Sequence, residues 1–179
     1  MEPRVKRYAG LYEWIEIITT ALIAITLIFT FLFRLVNVDG TSMETTLHDG
    51  ERLILSCLPY TPERGDIVVI SRGTDDEPLI KRVIGIAGDT VSIDSTTGEV
   101  YLNGNILKEP YIEVPTSVEL MKGEVTIPEG MVFVMGDNRS AGHSLDSRTF
   151  GCVENERLVG KVIFRVSPSN RFGGLYDEF

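Results

Sequence analysis

Ser42 stands in the run "DGTSMETTLHDGER" (39–52), where small hydroxyl side chains crowd around one methionine. A serine hydroxyl becomes a nucleophile only when a neighbouring group takes its proton, so the search turns to possible bases. The run "PLIKRVIGIAGD" (78–89) is apolar on both faces of a strand and yet carries Lys81 and Arg82 side by side. Strand side chains alternate, which puts Lys81 with Leu79 and Val83, and Arg82 with Ile80 and Ile84. At least one cation is then desolvated. Burial disfavours the charged form, so a buried Lys81 falls in pKa and can accept a proton near neutral pH. Arginine stays charged and needs a carboxylate partner. The same pattern also admits an edge strand with both cations in solvent.

A third run, "VMGDNRSAGHSLDSRTFG" (134–151), leads from a very apolar strand into Gly136, Asp137, Asn138, Arg139, Ser144, Asp146, Ser147 and Arg148. Such a density of acids and bases after a buried strand points to a hydrogen-bonded scaffold that positions something. Its carboxylates and arginines are available to neutralise each other and Arg82. The rival base is His143 with Asp146, since histidine is the commonest general base. Those two lie three positions apart in one loop, and no motif of that kind ties them to Ser42. His48 falls in the exposed turn "HDGE".

These runs need elements to hold them. Residues 17–33, "IITTALIAITLIFTFLF", carry no charge, and flanking apolar residues extend the stretch to a predicted membrane-spanning helix over 11–36. Tyr12, Trp14 and Glu16 suit its headgroup end. A cleavable export signal is the rival reading, but the stretch is longer than such cores and its exit, "FRLVNVDG", offers no small-x-small site. Arg4, Lys6 and Arg7 against Glu2 favour a cytoplasmic N-terminus, residues 1–10, and an extracytoplasmic domain over 37–179. The span and its orientation predict a single-pass protein of the cell membrane with the lipid bilayer as a partner.

Beyond residue 37 short apolar runs alternate with turn residues, which predicts a mainly β domain of antiparallel strands. The runs at 52–58, 66–70, 79–86, 90–93, 99–102, 131–135 and 158–166 read as strands, with "TPERG", "GTDDEP", "AGD", "STTG" and "PEG" among the turns between them. Asn103-Gly104 signals a tight hairpin. A net charge of −9 with no basic cluster beyond the N-terminus argues against nucleic acid as a partner. Cys57 and Cys152, without a CxxC or histidines at ligand spacing, exclude a zinc site and leave two thiols or one disulfide open. No metal and no organic cofactor is expected.

The motifs, taken together, resemble the bacterial type I signal peptidases, membrane-anchored serine proteases with a Ser/Lys dyad, in their short Gram-positive form. "GTSMETTL" is similar to that family's Ser-Met-x-Pro-Thr-Leu motif, "RGDIVV" (64–69) to its Arg-Gly-Asp motif, "KRVIGIAGD" to its Lys-Arg motif, and "GDNR...SLDSR" to its last. Their order after one N-terminal span is also the family's, and the resemblance covers nearly the whole chain. It implies Ser42 as nucleophile, Lys81 as general base, Ser144 as the hydroxyl that orients Lys81, and ion pairs among Asp137, Asp146, Arg82 and Arg148. It further implies secretory preproteins as substrates, with small side chains at the first and third positions before the cut.

There are departures from the pattern. Thr45 replaces the family's proline, which loosens the loop beside Ser42 and adds an N–H donor. Two residues are added between Arg139 and Ser144, leaving Ser140 and Ser144 as alternatives for the orienting position. Gly40 stands where some relatives have an oxyanion-donating serine, so the hole would rest on Gly40 and chiefly on the Ser42 N–H. Ser42 lies six residues past Val36, within about 22 Å of the predicted membrane exit. The alternative from another class is a non-catalytic, membrane-anchored β-domain that binds exported proteins.

Overall fold

The computed structural model of the chain describes residues 3–73, 76–118, 121 and 123–176. Glu2 of the N-terminal charge comparison, and Thr74 and Asp75 of the predicted turn "GTDDEP", lie outside them. The first element, α1, is a single helix from Pro3 to Leu32. Its segment Gly10–Leu32, 23 residues of mean hydropathy 2.3, has no buried residue. At ~1.5 Å per residue it covers the ~30 Å hydrocarbon layer. A helix whose uncharged stretch 17–32 presents apolar side chains on every side and leaves none of them buried is suited to lipid.

The helix ends four residues short of the predicted 36. Phe33–Asn37 form β1, paired antiparallel with β2 (Arg52–Ser56), Phe33 opposite Ser56 and Asn37 opposite Arg52. The cause is a better partner for the backbone. The Leu32 carbonyl, which a longer helix would give to Val36, accepts from Cys57 N at 2.8 Å, and Val36 packs against the core. The ten residues from Leu32 to Ser42 then set the outer reach at about 36 Å.

The other strands are β3 (Ile67–Ile70), β4 (Leu79–Ile86), β5 (Thr90–Ile93), β6 (Val100–Leu102), β7 (Asn105–Ile106), β8 (Val125–Thr126), β9 (Met131–Met135), β10 (Val153–Glu154) and β11 (Leu158–Ser167). A short helix, α2 (Ser147–Phe150), lies between β9 and β10. A seven-stranded sheet runs β1-β2-β11-β3-β4-β9-β10, and a four-stranded sheet runs β7-β6-β5-β8. Every pairing is antiparallel, so the mainly β expectation holds. The predicted strands all form, with ends within two residues. The Asn103-Gly104 hairpin forms too, both residues at positive φ (53° and 77°). β8 and β10, of two residues each, are too short to leave a periodic signal.

β4 lies between β3 and β9, which removes the edge-strand reading of Lys81 and Arg82. The three strands are apolar on both faces. Ile67, Val69, Ile84, Phe133 and Met135 point into two core clusters, while Val68, Ile70, Val83, Val132 and Val134 fill a third. Cys57 and Cys152 are free, half-buried thiols, so no disulfide joins them.

The loop after β9 is fastened by a pair that the sequence did not suggest. Arg139, wholly buried, donates to Gly136 O at 2.8 Å and Thr116 Oγ1 at 2.8 Å and forms a bidentate pair with Glu109. Removing one partner strands the other charge in a dry site. Glu109→Ala should therefore lower stability by about 3–5 kcal/mol, whereas joining Glu109→Met with Arg139→Leu should recover most of that loss. Urea denaturation measures both, and a double variant no more stable than Glu109→Ala would refute the argument.

Candidate active site

Ser42 lies in the loop 38–51, between β1 and β2. The loop closes on itself through Val38 N to Glu51 O at 2.8 Å and Gly50 N to Val38 O at 2.9 Å, and Met43 and Leu47 sink into the core. Asn138, from the loop after β9, holds it from outside: its N–H donates to Ser42 O at 3.1 Å and its Nδ2 to Thr41 O at 3.1 Å. The Thr46 hydroxyl donates to Asp137 Oδ2 at 2.5 Å. Thr45, expected to loosen the loop, ties it through Thr45 Oγ1 to Tyr111 O at 3.1 Å.

Lys81 reaches this loop from the middle of β4. Its Nζ donates to Ser42 Oγ at 2.7 Å and to Ile80 O at 2.8 Å. The side chain is 1% exposed. Burial lowers its pKa from the ordinary 10.5 to about 8, although the carboxylates of Asp146 and Asp137 pull it up; Arg148 lowers it further. A lysine one unit above the ambient pH is neutral in roughly a tenth of molecules, against less than a thousandth at its ordinary value. An amine in that state accepts the serine proton at the distance general-base transfer requires.

Two Arg–Asp pairs flank this contact. Arg82 holds Asp137 through Nε to Oδ1 at 2.9 Å and Nη2 to Oδ2 at 2.7 Å, and its guanidinium carbon lies 3.9 Å from the Tyr111 ring centre. Arg148 holds Asp146 in the same two-point manner, at 2.9 and 2.8 Å. Asp146 also caps α2 and accepts from Gly136 N at 3.0 Å. Burial alone would raise the Asp146 pKa, but Arg148 and these hydrogen bonds bring it below the usual carboxylate value.

Ser144 has another hydroxyl partner than the resemblance implies. Its hydroxyl donates to Asp146 Oδ2 at 2.6 Å, a charge-assisted bond, and it makes no hydrogen bond to Lys81 among the described residues. It is buried beside the site all the same. A Cβ on Gly136 would fall 2.3 Å from both Ser144 Oγ and Ser42 O, so only glycine lets the three segments meet. Ser140 is half-buried, and its N–H turns back to Asn138 Oδ1 at 3.3 Å.

The oxyanion expectation also changes. Gly40 N is committed to Asp49 Oδ1 at 2.8 Å because the loop folds back on itself there. The Ser42 N–H makes no hydrogen bond among the described residues and is the donor left for a developing oxyanion. His143 is exposed, its Nδ1 meets Ala141 O at 2.9 Å, and no described hydrogen bond joins it to Asp146 or Ser42. That removes the triad reading. Beside Ser42 and Lys81 opens a cavity of about 340 Å³, with Val36, Val38, Met43, Val69, Leu79 and Ile80 in its wall. Among the described residues no cluster of side chains has the makings of a metal site.

The sequence profile of the family described as "Signal peptidase, peptidase S26" matches residues 11–167. The signal peptidase I of Bacillus licheniformis is 40% identical over 173 residues, 90% of this chain and 91% of its own length. The signal peptidase I T of Bacillus subtilis is 38% identical over 182 residues, 94% and 92% respectively. A solved signal peptidase I from Enterococcus faecalis is 32% identical and covers 57% of this chain and 97% of its own, with a TM-score of 0.47.

The charges around Lys81 predict two opposite displacements. Asp146 raises its pKa, so Asp146→Asn should bring the lysine below 8; Arg148 lowers it, so Arg148→Met should send it back toward 10.5. Titration of the Lys81 side-chain carbon shift by NMR measures both. Displacement of both variants in the same direction would contradict this electrostatic account.

Proposed function

The chain belongs to the peptidase S26 family of signal peptidases, and from that premise we propose a Ser42/Lys81 mechanism working at the outer surface of the cytoplasmic membrane. The protein is a serine endopeptidase that removes signal peptides from preproteins, so the non-catalytic alternative falls. The observation that carries the mechanism is the 2.7 Å contact between Ser42 Oγ and the buried Lys81 Nζ. Neutral Lys81 takes the hydroxyl proton as Oγ attacks the scissile carbonyl, and the oxyanion forms against the Ser42 N–H. Lysine then gives that proton to the leaving amine. In the second half it activates the water that frees the acyl group.

The cavity supports an extended substrate laid between residues 36–39 and residues 78–80, which line it together with Ser42 and Lys81. Its wall also includes Asn37, Asp39, Arg72 and Glu77, and its modest size and the apolar part of that wall favour small side chains at the first and third positions before the cut. Three domains follow: a cytoplasmic end at 1–10, the spanning helix, and an extracytoplasmic peptidase domain. Where α1 ends, Phe29, Phe33, Ile54 and Ile163 line an apolar hollow, and Leu35 and Phe172 are 70% and 62% exposed. Such a surface continuous with a membrane anchor supports contact with the lipid headgroup boundary.

In a precursor-cleavage assay, Ser42→Ala and Lys81→Ala should each lose ~10⁴-fold or more in kcat/KM with the fold kept, and His143→Ala should keep most activity. Because the base must be neutral, kcat/KM of the native enzyme should fall as pH drops below about 8 and level off above it. A limb that disappears in His143→Ala, or one at the ordinary lysine value, would be fatal to the mechanism.

Orientation has its own test. Protease added outside intact protoplasts should degrade the portion after residue 37 and spare an epitope at the N-terminus. Protection of the catalytic portion instead would place it on the wrong side for exported substrates.

A further inference from the structure

We propose that Arg165 and Arg171 are positioning residues for Ser42, two guanidinium groups that grip the backbone carbonyls of its loop. The inference rests on Ser42 being the nucleophile. Neither arginine lies in any of the motifs shared with the family.

The loop 38–51 has no strand partner near its tip, so the place of Ser42 depends on a few contacts. Arg165 Nη2 donates to Thr46 O at 2.7 Å, and Arg171 Nη2 donates to Thr46 O at 3.1 Å and to Thr45 O at 3.4 Å. Both lone pairs of the Thr46 carbonyl are thus occupied, while its hydroxyl is on Asp137. Thr46 is held at both polar ends, four residues from Ser42.

The two arginines act as one unit. Glu51 lies between them, 3.0 Å from Arg165 Nε through Oε2 and 2.6 Å from Arg171 Nη1 through Oε1. Arg165 Nη1 donates to Arg171 O at 3.3 Å, and the backbone of Arg165 exchanges hydrogen bonds with Gly173 at 2.9 and 3.2 Å. Chain from the end of β11 to Gly173 is therefore folded back so that both forks face the loop. Arg165 is 1% exposed in a strand whose other cation, Lys161, is part-exposed and paired with Asp66. The Arg171 fork donates to Glu51 with one nitrogen and to the Thr46 carbonyl with the other, and Arg165 pairs its charge with Glu51 while donating to the same carbonyl; the single ammonium of lysine does not reproduce both contacts.

Displacement of a reacting group by about 1 Å can lower a rate ~10²-fold. With full-length enzyme in detergent micelles and a precursor substrate, Arg171→Ala should therefore lose ~10²-fold in kcat while KM stays within about twofold. Its side chain is 28% exposed, so the fold tolerates the loss. The pH limb should keep its midpoint, because the groups that set Lys81 are untouched, and millimolar methylguanidinium should restore part of kcat. Arg165→Lys should show the same split without rescue. An unchanged kcat in both variants, a change confined to KM, or a loss that only follows the unfolded fraction in thermal melts would overturn the proposal. Ser42→Ala separates the two levels: an active Ser42→Ala sinks the nucleophile assignment and the clamp with it, whereas an inactive one beside a fully active Arg171→Ala sinks the clamp alone.

Discussion

Everything around the site depends on keeping one lysine amine dry without leaving it beside a bare carboxylate. Lys81 is buried in a central strand, and desolvation is the largest influence on its pKa. A lone Asp146 or Asp137 at this depth would hold Lys81 still more firmly in its charged form and disable it in its proposed role as base. Each is instead bound at two points by an arginine, so what reaches the lysine is the residual field of a neutral pair. Buried ion pairs add little to stability relative to apolar packing. Their use here is explained by the polar network, which also orders the loop after β9 and the cap of α2.

The same economy of contacts governs Ser42. Its loop is irregular, and three segments distant in sequence fix it: Asn138 at Thr41 and Ser42 with Asp137 at the Thr46 hydroxyl, Tyr111 at Thr45, and the C-terminal arginines at the Thr45 and Thr46 carbonyls. Gly136 allows the closest approach, with no room for a methyl group between Ser42 O and Ser144 Oγ. Proposed base and proposed nucleophile therefore meet as the outcome of tertiary packing, and neither strand nor loop alone would bring them together.

Much of this was legible beforehand because burial leaves a strong local mark. Two cations in a run apolar on both faces left two readings, a buried strand or an edge with both cations in solvent, and the pairing of β4 with β3 and β9 decides for the first. The neighbours were harder to read. Arg165 carries a similar mark in "VIFRV", a cation among apolar neighbours, but no carboxylate lies close in sequence to suggest its purpose, since Glu51 is contributed from 114 positions away. Glu109 sits in a loop with no periodicity, and its pairing with Arg139 is a fact of tertiary approach. The direction of the Ser144 hydroxyl depends on which acceptor lies nearer in space, which spacing in the chain does not encode. The helix end was misread for a related reason: residues 33–36 are as apolar as the span before them, and only their strand partner distinguishes them.

That misread boundary has a mechanical meaning. The helix passes into β1 without a flexible linker, and Cys57 N closes on Leu32 O, so the end of the helix is hydrogen-bonded to the body of the sheet. Val36, four residues on, is already in the wall of the cavity beside Ser42. At ~3.3 Å per extended residue that interval is about 13 Å. On the proposed topology, a precursor whose own apolar helix ends at the same depth needs only about four extended residues to bring a peptide bond to the cleft. The anchor then does more than retain the enzyme in the bilayer. It sets the height of the cleft above the hydrocarbon layer, and a peptide bond much nearer to or farther from its own apolar segment would be presented at the wrong level.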